Sequence, residues 1–406
     1  MDYQNLKKSF GTPLYIYNVD LMKEIISKYQ KNFQSSQFQT EIIYASKALN
    51  IKAMLRLLMR YALSLDVVSL GELYTAKTVG FPMDKVYFHG NNKSLEELKF
   101  AIEEHVGIIV VDHVDELITL KNLTEEYHTD VQIYIRLNVG VEAHTHKYIV
   151  TSHIDSKFGV LYNSPDYKKM LDILKSARHL HLRGFHSHIG SQIFDLNPYD
   201  AAIEKLVQIV KDFSEPMDIN LGGGFGVTYT NHDKPIPYEI VARHLIQKTE
   251  EELVKQNTTI RKLCIEPGRS IVAEAGQTLY TIGGIKQTPN KLYYFIDGGM
   301  TDNIRPALYQ AVYAADIVGK EHLMKNKMVT VAGKCCESGD IIIENILLPE
   351  ASRGDLLVTY STGAYGYSMS SNYNKALTPA VVFVEDGSPE LVVKRQTLKE
   401  LLEREI

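Results

Sequence analysis

The sequence predicts an α/β protein in which a (β/α)8 barrel is joined to a mainly β domain. Eight short apolar runs, rich in β-branched and aromatic residues, alternate with segments of helical periodicity over the first two thirds of the chain. Many of these runs end in a reactive side chain. After Glu266 the pattern changes to short β-like runs separated by Gly, Asp and Pro turns. These three observations favour a barrel followed by a second, smaller domain.

The predicted barrel strands share a short, apolar and β-branched composition. In chain order they are residues 42–46, 65–68, 86–89, 108–112, 131–138, 182–188, 218–221 and 262–266. Apolar stripes at helical spacing fill most of the gaps, and a helical crossover makes neighbouring strands parallel. A doubly wound open sheet is the alternative. The barrel is favoured because reactive side chains collect at the carboxyl ends of the strands, where barrel active sites lie.

The rest of the chain is predicted to form one β-rich domain. Its candidate strands are residues 291–296, 328–332, 341–346, 356–360 and 381–384. The extended run at 13–17 is expected to join them, and residues 394–406 are expected to form a charged helix. We therefore divide the chain into a barrel of residues 22–270 and a second domain of residues 1–21 and 271–406.

Composition and charge narrow the functional class. Apolar residues make up 45% of the chain and charged residues 23%, which suits a globular protein with a large core. Lys and Arg total 44 against 49 Asp and Glu, a net charge of −5, so a nucleic-acid partner is not expected. No apolar run is long enough for a membrane span. Three cysteines, two of them adjacent, form no readable disulfide framework and indicate a cytoplasmic location.

Lys47 directly follows the first predicted strand, in the sequence YASK. A lysine desolvated in a barrel mouth loses its proton more readily, which suits Schiff-base chemistry. A strand-end lysine that simply reaches solvent is the alternative.

The sequence GGGFG, residues 222–226, follows the seventh predicted strand. Glycines allow backbone N–H groups to converge on an anion, and barrels commonly bind phosphate after strands seven and eight. The segment fails as a dinucleotide fingerprint because Val227 stands where a glycine is required. A simple turn is the alternative.

The eighth predicted strand ends in CIEPGRS, which places Glu266 and Arg269 around a Pro-Gly turn. The carboxylate can hold a cationic ring nitrogen, and the guanidinium fork suits phosphate or carboxylate. An exposed strand-end salt bridge is the alternative.

His186 and His188 stand two apart in a predicted strand, so both side chains are expected on one face. Two interpretations compete. The pair could bind zinc in a barrel hydrolase, or one imidazole could stack on a flat cofactor while Gly190 and Ser191 contact a phosphate. A further His-x-His sequence within residues 142–148 is expected to be a loop without a metal, and residues 151–159 have the polar, glycine-ended composition of a lid.

The second domain carries further reactive groups. Cys336 and Glu337 place a thiol and a carboxylate in a glycine-containing turn. Arg305 and Tyr309, four residues apart, would share one face of a helix. Each cluster taken alone could be turn chemistry.

Taken in order, these segments resemble the motifs of the fold-type III pyridoxal-phosphate decarboxylases. The resemblance rests on YASK, DVVS with GEL, FHGNNK, HSHIGSQ, GGGFG, EPGRS, NIRPALY, CESGD and TGAY, between Thr12 and Asn374. Within that family the chain is similar to the members that convert meso-2,6-diaminopimelate to L-lysine and CO2, the last step of lysine biosynthesis.

The resemblance implies pyridoxal 5′-phosphate as the cofactor and no metal. Lys47 would form the Schiff base, Glu266 would pair with the pyridinium nitrogen, and His188 would stack on the ring. The other residues implied at the cofactor are Asp66, His89, Ser191, Gly223, Gly224, Gly268, Arg269 and Tyr365.

The resemblance also implies the substrate contacts and a homodimer. The substrate would be bound by Arg269, Arg305, Tyr309, Glu337 and Tyr365. The arginines would hold the retained carboxylate, and Glu337 would meet the distal ammonium. Cys336 and Glu337 would reach the active site of the neighbouring subunit across a C2 interface, so that each β-rich domain completes the other site. Cys336 or Lys47 would return a proton to the substrate carbon.

Other readings remain open at this stage. A sister decarboxylase of ornithine, lysine, arginine or another carboxylated amine would have no second carboxylate for paired arginines to bind. A metal-dependent hydrolase built on His186 and His188 would leave Lys47 and the glycine loop without a role. A catalytically silent homologue would have no need of Cys336.

Overall fold

A computed structural model describes residues 1–141 and 156–406. The expected loop at 142–148 and most of the expected lid at 151–159 lie outside the described residues. The chain divides into two compact units. The barrel unit comprises Ile25–Gly226 and Pro235–Gly268, and the β unit comprises Met1–Glu24, Val227–Lys234 and Arg269–Ile406. The sequence had not indicated that Val227–Lys234 belongs with the β unit.

The chain begins with α1 (Tyr3–Phe10) and β1 (Leu14–Asn18), and α2 (Val19–Asn32) leads into the barrel unit. The barrel strands follow as β2 (Gln39–Ala45), β3 (Ser64–Val67), β4 (Val86–Phe88), β5 (Ile108–Val111), β6 (Val131–Asn138), β7 (Val160–Leu161), β8 (Leu180–His186), β9 (Asp218–Asn220) and β10 (Lys262–Ile265). All their pairings are parallel, and β10 pairs with β2, so the sheet closes. The short β7 pairs with β6 beside the closed ring.

Helices follow the barrel strands. They are α3 (Lys52–Arg60), α4 (Leu70–Val79), α5 (Leu95–Glu103), α6 (Val114–Tyr127), α7 (Pro165–Ser176), α8 (Asn197–Val210) and α9 (Tyr238–Gln256). Ser69, Ser94 and Ser164 cap three of them by accepting a hydrogen bond from a first-turn N–H. The helical periodicity read from the sequence therefore becomes the set of crossovers that makes the strands parallel. The predicted (β/α)8 barrel is confirmed, and the open-sheet alternative is wrong.

The β unit is built on a mixed, mostly antiparallel sheet, as predicted. Its remaining elements are α10 (Arg269–Val272), β11 (Gly276–Gln287), β12 (Leu292–Ile296), α11 (Arg305–Tyr309), β13 (Ala315–Ile317), β14 (Lys327–Ala332), β15 (Ile341–Leu348), β16 (Leu356–Thr359), β17 (Ala380–Glu385), β18 (Ser388–Val393) and α12 (Leu398–Leu402). The strand order is β15-β14-β12-β11-β1-β17-β18, with β16 pairing β11 and β13.

The first strand of the chain is a central strand of that sheet. β1 pairs antiparallel with β11 and parallel with β17. Leu14 and Ile16 are fully buried, and they pack in one apolar cluster with Leu279, Val358 and Val382. The first residues therefore belong to the core of the β unit. Among the described residues, no helix has both the length and the apolar character needed to cross a membrane.

Candidate active site

The reactive residues of the barrel unit lie at the carboxyl ends of its strands. Lys47 lies in a short 3-10 turn after β2, and Asp66 lies near the end of β3. His89 follows β4, His186 ends β8, and Glu266 follows β10. Because all these strands are parallel, their carboxyl ends form one rim of the barrel. The structure thus brings these five side chains to the same end of the barrel.

Glu266 is a buried carboxylate at the centre of this rim. Asn220 donates to its Oε1 over 2.7 Å. Nε2 of His89 lies 3.0 Å from Oε1, and Nε2 of His186 lies 3.1 Å from Oε2. Burial alone would raise the pKa of Glu266, but the two imidazoles hold it well below its usual value. Glu266 is therefore ionised at neutral pH.

His186 contributes to Glu266 as a neutral hydrogen-bond donor. Burial lowers the pKa of His186 to about 4, against the opposing influence of the Glu266 carboxylate. At neutral pH the ring is uncharged, so its contact with an ionised oxygen requires the Nε2–H tautomer. The ring also packs edge-on against His89, with 4.7 Å between centroids. The sequence analysis had considered His186 only as half of a zinc pair with His188.

The zinc alternative finds a different set of atoms in the structure. His188 lies beyond the end of β8, so the predicted strand spacing does not place the two histidines side by side. Instead, one ligand-capable atom each from His89, His186 and Glu266 lie within 4.8 Å of one another. Asp66 lies 3.8 Å from Nε2 of His89, and burial raises its pKa. The group can therefore be tested for a metal directly.

His188 is attached to the glycine loop. Its Nδ1 accepts a hydrogen bond from the N–H of Gly223 over 3.2 Å. Burial, together with the charges of Lys47 and Arg136, holds the pKa of His188 well below its usual value. The imidazole is therefore neutral, with its Nδ1 lone pair used by the backbone.

The glycine loop lies directly beside the loop that follows β8. The N–H of Ile193 donates to the carbonyl of Gly224 over 2.9 Å, and the N–H of Gly226 returns a bond to Ile193 over 3.1 Å. A Cβ at Gly224, where φ is +96°, would lie 2.3 Å from the carbonyl oxygen of Gly190. Glycine is required here because two backbones touch. This contact places Ser191 on a loop adjacent to Gly223 and Gly224.

Lys47 is exposed in this chain, so the expected burial of its amine is wrong. The 3-10 turn of Ser46–Ala48 buries Ser46 and Ala48 on either side and leaves the lysine side chain in solvent. Its positive charge still reaches the rim, since it lowers the pKa of both Asp66 and His188. The Gly268 turn packs close by, because a Cβ there would lie 2.8 Å from the side chain of Ala45.

A buried ion pair beside this rim was not identified from the sequence. Lys93, in FHGNNK, donates to Glu116 over 2.6 Å and to the carbonyls of Gly90 and Val110. The other oxygen of Glu116 accepts from the N–H of Asp112. The pair therefore joins the segments that follow β4 and β5. Its signal was a lysine and a glutamate in separate loops, which no short motif connects.

The β unit holds the predicted substrate arginines in one group, which we call the arginine–tyrosine cluster: Arg269, Arg305, Tyr229, Tyr313 and Tyr365. Arg269 and Arg305 both donate to the hydroxyl of Tyr229, the latter over 3.1 Å. Arg305 also donates to Tyr313 over 2.6 Å. The ring of Tyr365 lies 4.9 Å from the Arg269 guanidinium carbon and 5.8 Å from that of Arg305. The two cations therefore lie within one aromatic enclosure.

Tyr365 and Tyr309 differ in their relation to this cluster. Tyr365 has φ of +64°, a conformation that a non-glycine residue adopts only when its surroundings hold it there. Tyr309 lies on α11 with Arg305, as predicted, but within the described residues it makes no hydrogen bond to either arginine. Tyr229 and Tyr313 occupy that role instead, and neither was singled out from the sequence.

Cys336 and Glu337 are exposed on the turn between β14 and β15. The turn is held by Asp340, which accepts from the backbone N–H of Cys335 over 2.7 Å and of Met300 over 2.6 Å. The N–H of Cys336 donates to the side chain of Asn374 over 3.2 Å. A buried aspartate therefore fixes the backbone of a turn whose thiol and carboxylate point into solvent.

Comparison with known proteins gives consistent findings. A family model described as "Pyridoxal-dependent decarboxylase, pyridoxal binding domain" matches residues 21–273. Diaminopimelate decarboxylase of Bacillus subtilis is 44% identical over 100% of this chain and 94% of its own length. The crystal structure of diaminopimelate decarboxylase from M. jannaschii in co-complex with L-lysine matches with a TM-score of 0.92 and 32% identity, covering 100% of this chain and 94% of that one. Lysine/ornithine decarboxylase from Vibrio vulnificus, complexed with putrescine, has a TM-score of 0.77 at 23% identity, covers 94% and 97%, and shares the fold alone.

Proposed function

This chain belongs to the diaminopimelate decarboxylase family of pyridoxal-dependent decarboxylases, and on that premise we propose that it removes one carboxyl group of meso-2,6-diaminopimelate as CO2 and releases L-lysine. The observation that carries the proposal is 44% identity to such an enzyme along the entire chain. The rim of the barrel and the arginine–tyrosine cluster supply the side chains that this reaction requires.

The rim of the barrel fits pyridoxal 5′-phosphate on three observations. Glu266 is buried and ionised, as the partner of a protonated ring nitrogen must be. The Gly223–Gly224 backbone lies beside Ser191, which gives a loop where donors can approach a phosphate without side chains between them. Lys47 presents an accessible amine. When bound, the cofactor supplies an electron sink for the pair released with CO2.

We assign the residues of the rim as follows. Lys47 would bind the cofactor covalently, Glu266 would keep the ring nitrogen protonated, and neutral His188 would stack on the ring. Asp66 and His89 would orient Glu266 and Lys47 through their charge and hydrogen bonds. The phosphate would be bound by Ser191, Gly223, Gly224 and Tyr365, with Gly268 and Arg269 nearby.

The arginine–tyrosine cluster supports a substrate that retains a carboxylate. In the described part of the chain no aspartate or glutamate forms an ion pair with Arg305, although its guanidinium is buried. A buried guanidinium without an anion is costly, and a substrate carboxylate would offset that cost. Arg269, Arg305, Tyr309 and Tyr365 would therefore bind the carboxylate that remains in L-lysine. Sister substrates such as ornithine offer no such group.

Cys336 and Glu337 support a shared active site in a C2 homodimer. Both are exposed, and within the described residues their side chains make no hydrogen bond or ion pair in their own chain. We propose that each subunit contributes this turn to the active site of its partner, where Glu337 would bind the distal ammonium. Cys336 or Lys47 would deliver the proton to the carbon that loses CO2. The free state of all three cysteines supports a cytoplasmic location.

The deciding experiment is an assay of the purified protein loaded with pyridoxal 5′-phosphate. We expect L-lysine and CO2 from meso-diaminopimelate, and no product from ornithine or L-lysine offered in parallel. Turnover of ornithine alone would contradict the substrate assignment while retaining the cofactor. Metal analysis of the same preparation tests the hydrolase alternative, for which stoichiometric zinc at His89, His186 and Glu266 would be required.

A further inference from the structure

Tyr229 lies where the two arginines of the β unit meet. It belongs to the segment Val227–Lys234, which leaves the barrel unit between β9 and α9. Within the segment, the N–H groups of Tyr229 and Thr230 both donate to the carboxylate of Asp233, over 3.0 and 2.8 Å. The carbonyl of Tyr229 accepts from the N–H of Ala314, and that of Thr228 from the hydroxyl of Ser361. The backbone of Tyr229 is therefore fixed from several sides.

The side chain of Tyr229 is held as firmly as its backbone. The residue is 9% exposed, and its ring packs edge-on against Tyr313 at 5.4 Å between centroids. Its hydroxyl oxygen accepts from Nη1 of Arg269 and from Nη1 of Arg305. A phenol oxygen accepts two hydrogen bonds and donates one. Both acceptor positions are thus used by arginines, and in the described part of the chain no acceptor takes the phenolic proton.

The same contacts orient Arg305. Its Nη1 group has two hydrogens, one directed at Tyr229 and the other at Tyr313. Among the described residues, Nε and Nη2 of Arg305 make no hydrogen bond. The Nε–Nη2 edge of a guanidinium matches the two oxygens of a carboxylate. The phenols therefore bind one side of the fork and leave a bidentate edge available.

We propose that Tyr229 is a specificity-determining residue, whose hydroxyl holds Arg269 and Arg305 together against their mutual repulsion and offers its own proton to the carboxylate that they bind. The inference rests on the proposed function and extends it, because neither the motifs of the sequence nor the comparisons give Tyr229 a role. It also identifies the ligand chemistry: an aliphatic amine with a retained carboxylate binds, and the same amine without it does not gain from Tyr229.

The test compares two ligands that differ in that one group. L-Lysine carries the carboxylate, whereas cadaverine has the same carbon chain and both amines but no carboxylate. Binding of each to the cofactor-loaded protein is measured by calorimetry in the native chain and in Tyr229→Phe. Since a hydrogen bond to a charged group is worth about 1.5–3 kcal/mol, the variant should bind L-lysine about tenfold or more weakly. Cadaverine should bind with unchanged affinity. A purely structural role would weaken both ligands equally.

Two further variants control for folding. Tyr294→Phe removes another buried hydroxyl of the β unit, which accepts from the N–H of Ala351 over 3.0 Å and contacts no arginine; it should bind both ligands as the native chain does. Tyr313→Phe removes one acceptor of Arg305 but keeps the Tyr229 bridge, so its loss of L-lysine affinity should be smaller. In turnover, Tyr229→Phe should raise KM for meso-diaminopimelate about tenfold with kcat changed less than about threefold.

The outcomes separate this inference from the proposed function. Equal losses for L-lysine and cadaverine in Tyr229→Phe, or no loss for either, would overturn the role of Tyr229. A native protein that fails to decarboxylate meso-diaminopimelate would instead overturn the proposed reaction. The calorimetric comparison would then still decide whether Tyr229 selects for a carboxylate.

Discussion

Oε2 of Glu266 lies 3.1 Å from Nε2 of His186, and both side chains are buried at the carboxyl end of the barrel. The imidazole is neutral and the carboxylate is ionised, so the contact is a hydrogen bond from a neutral donor to an anion. The pairing keeps a full negative charge at a buried position. Several consequences of this arrangement can be measured.

The stability of the protein should decrease as the pH falls below neutrality. The pKa of His186 is lowered from 6.5 to about 4, so between those values the unfolded chain binds a proton that the folded chain excludes. The free energy of unfolding should therefore rise with pH across this interval, by up to about 3 kcal/mol from this residue. Urea unfolding at a series of pH values between 4 and 7.5 measures it. His186→Gln, which keeps a donor but cannot titrate, should show a flatter profile; an unchanged slope would contradict the assignment.

Replacement of Glu266 by Gln should abolish most activity while leaving the fold intact. The amide keeps the size and much of the hydrogen bonding to Asn220 and His186 but removes the charge. Without an ionised partner the ring nitrogen loses its proton, and we expect kcat to fall at least about a hundredfold. Glu41→Gln is the matched control, because Glu41 is a partly buried carboxylate paired with Lys262 near the amino-terminal ends of the strands. Equal losses in both variants would indicate a general effect on the barrel.

Lys47→Ala should eliminate both turnover and the visible absorbance of the bound cofactor. The amine of Lys47 is accessible and follows β2 on a short turn, so its removal should not disturb the core. Absorbance spectroscopy and an L-lysine assay measure the two effects. Lys52→Ala, at the exposed start of α3, should retain both. Full activity in Lys47→Ala would refute the role of the residue.

Cys336→Ala and Lys47→Ala subunits should complement each other when mixed. If the turn of one subunit completes the site of its partner, each hybrid dimer contains one site with both native groups. Random exchange makes half of the dimers hybrid, so about one quarter of the native activity should return. Activity after subunit exchange is compared with that of each variant alone. The absence of any recovery in an exchanged sample would count against the shared site.

Gly224→Ala should cost far more stability than Gly387→Ala. Both glycines have positive φ, +96° and +75°. At Gly224 the new methyl group would lie 2.3 Å from a carbonyl oxygen, whereas nothing lies within 4 Å at Gly387. The backbone strain alone costs about 1–2 kcal/mol, and the clash should bring the loss at Gly224 to about 3 kcal/mol or more. Urea unfolding provides the comparison, and equal losses would show that the contact with Gly190 relaxes freely.

Much of the fold and part of the site could be predicted because they depend on local patterns. Apolar runs and helical stripes predicted the closed barrel, since strand and helix periods are properties of neighbouring residues. Lys47, His89 and Glu266 were identified because residues at strand ends share one rim whatever their distance along the chain. The arginines were identified from EPGRS and NIRPALY by resemblance.

The partners of these residues could not be predicted in the same way. Tyr229 is separated by 40 residues from Arg269 and by 76 from Arg305, and no motif joins them. The bonds of His186 to Glu266 and of Lys93 to Glu116 likewise join separate strands and loops. The exposure of Lys47 depends on how its turn packs, which its sequence does not specify.

The sequence by itself determined the class of fold, the residues that can react and the family of the protein, because each follows from the order and type of side chains. Only the tertiary structure decided which polar groups meet: His186 with Glu266, His188 with Gly223, and Tyr229 with two arginines. The physical reason is that hydrogen bonds act over about 3 Å in space, irrespective of separation along the chain.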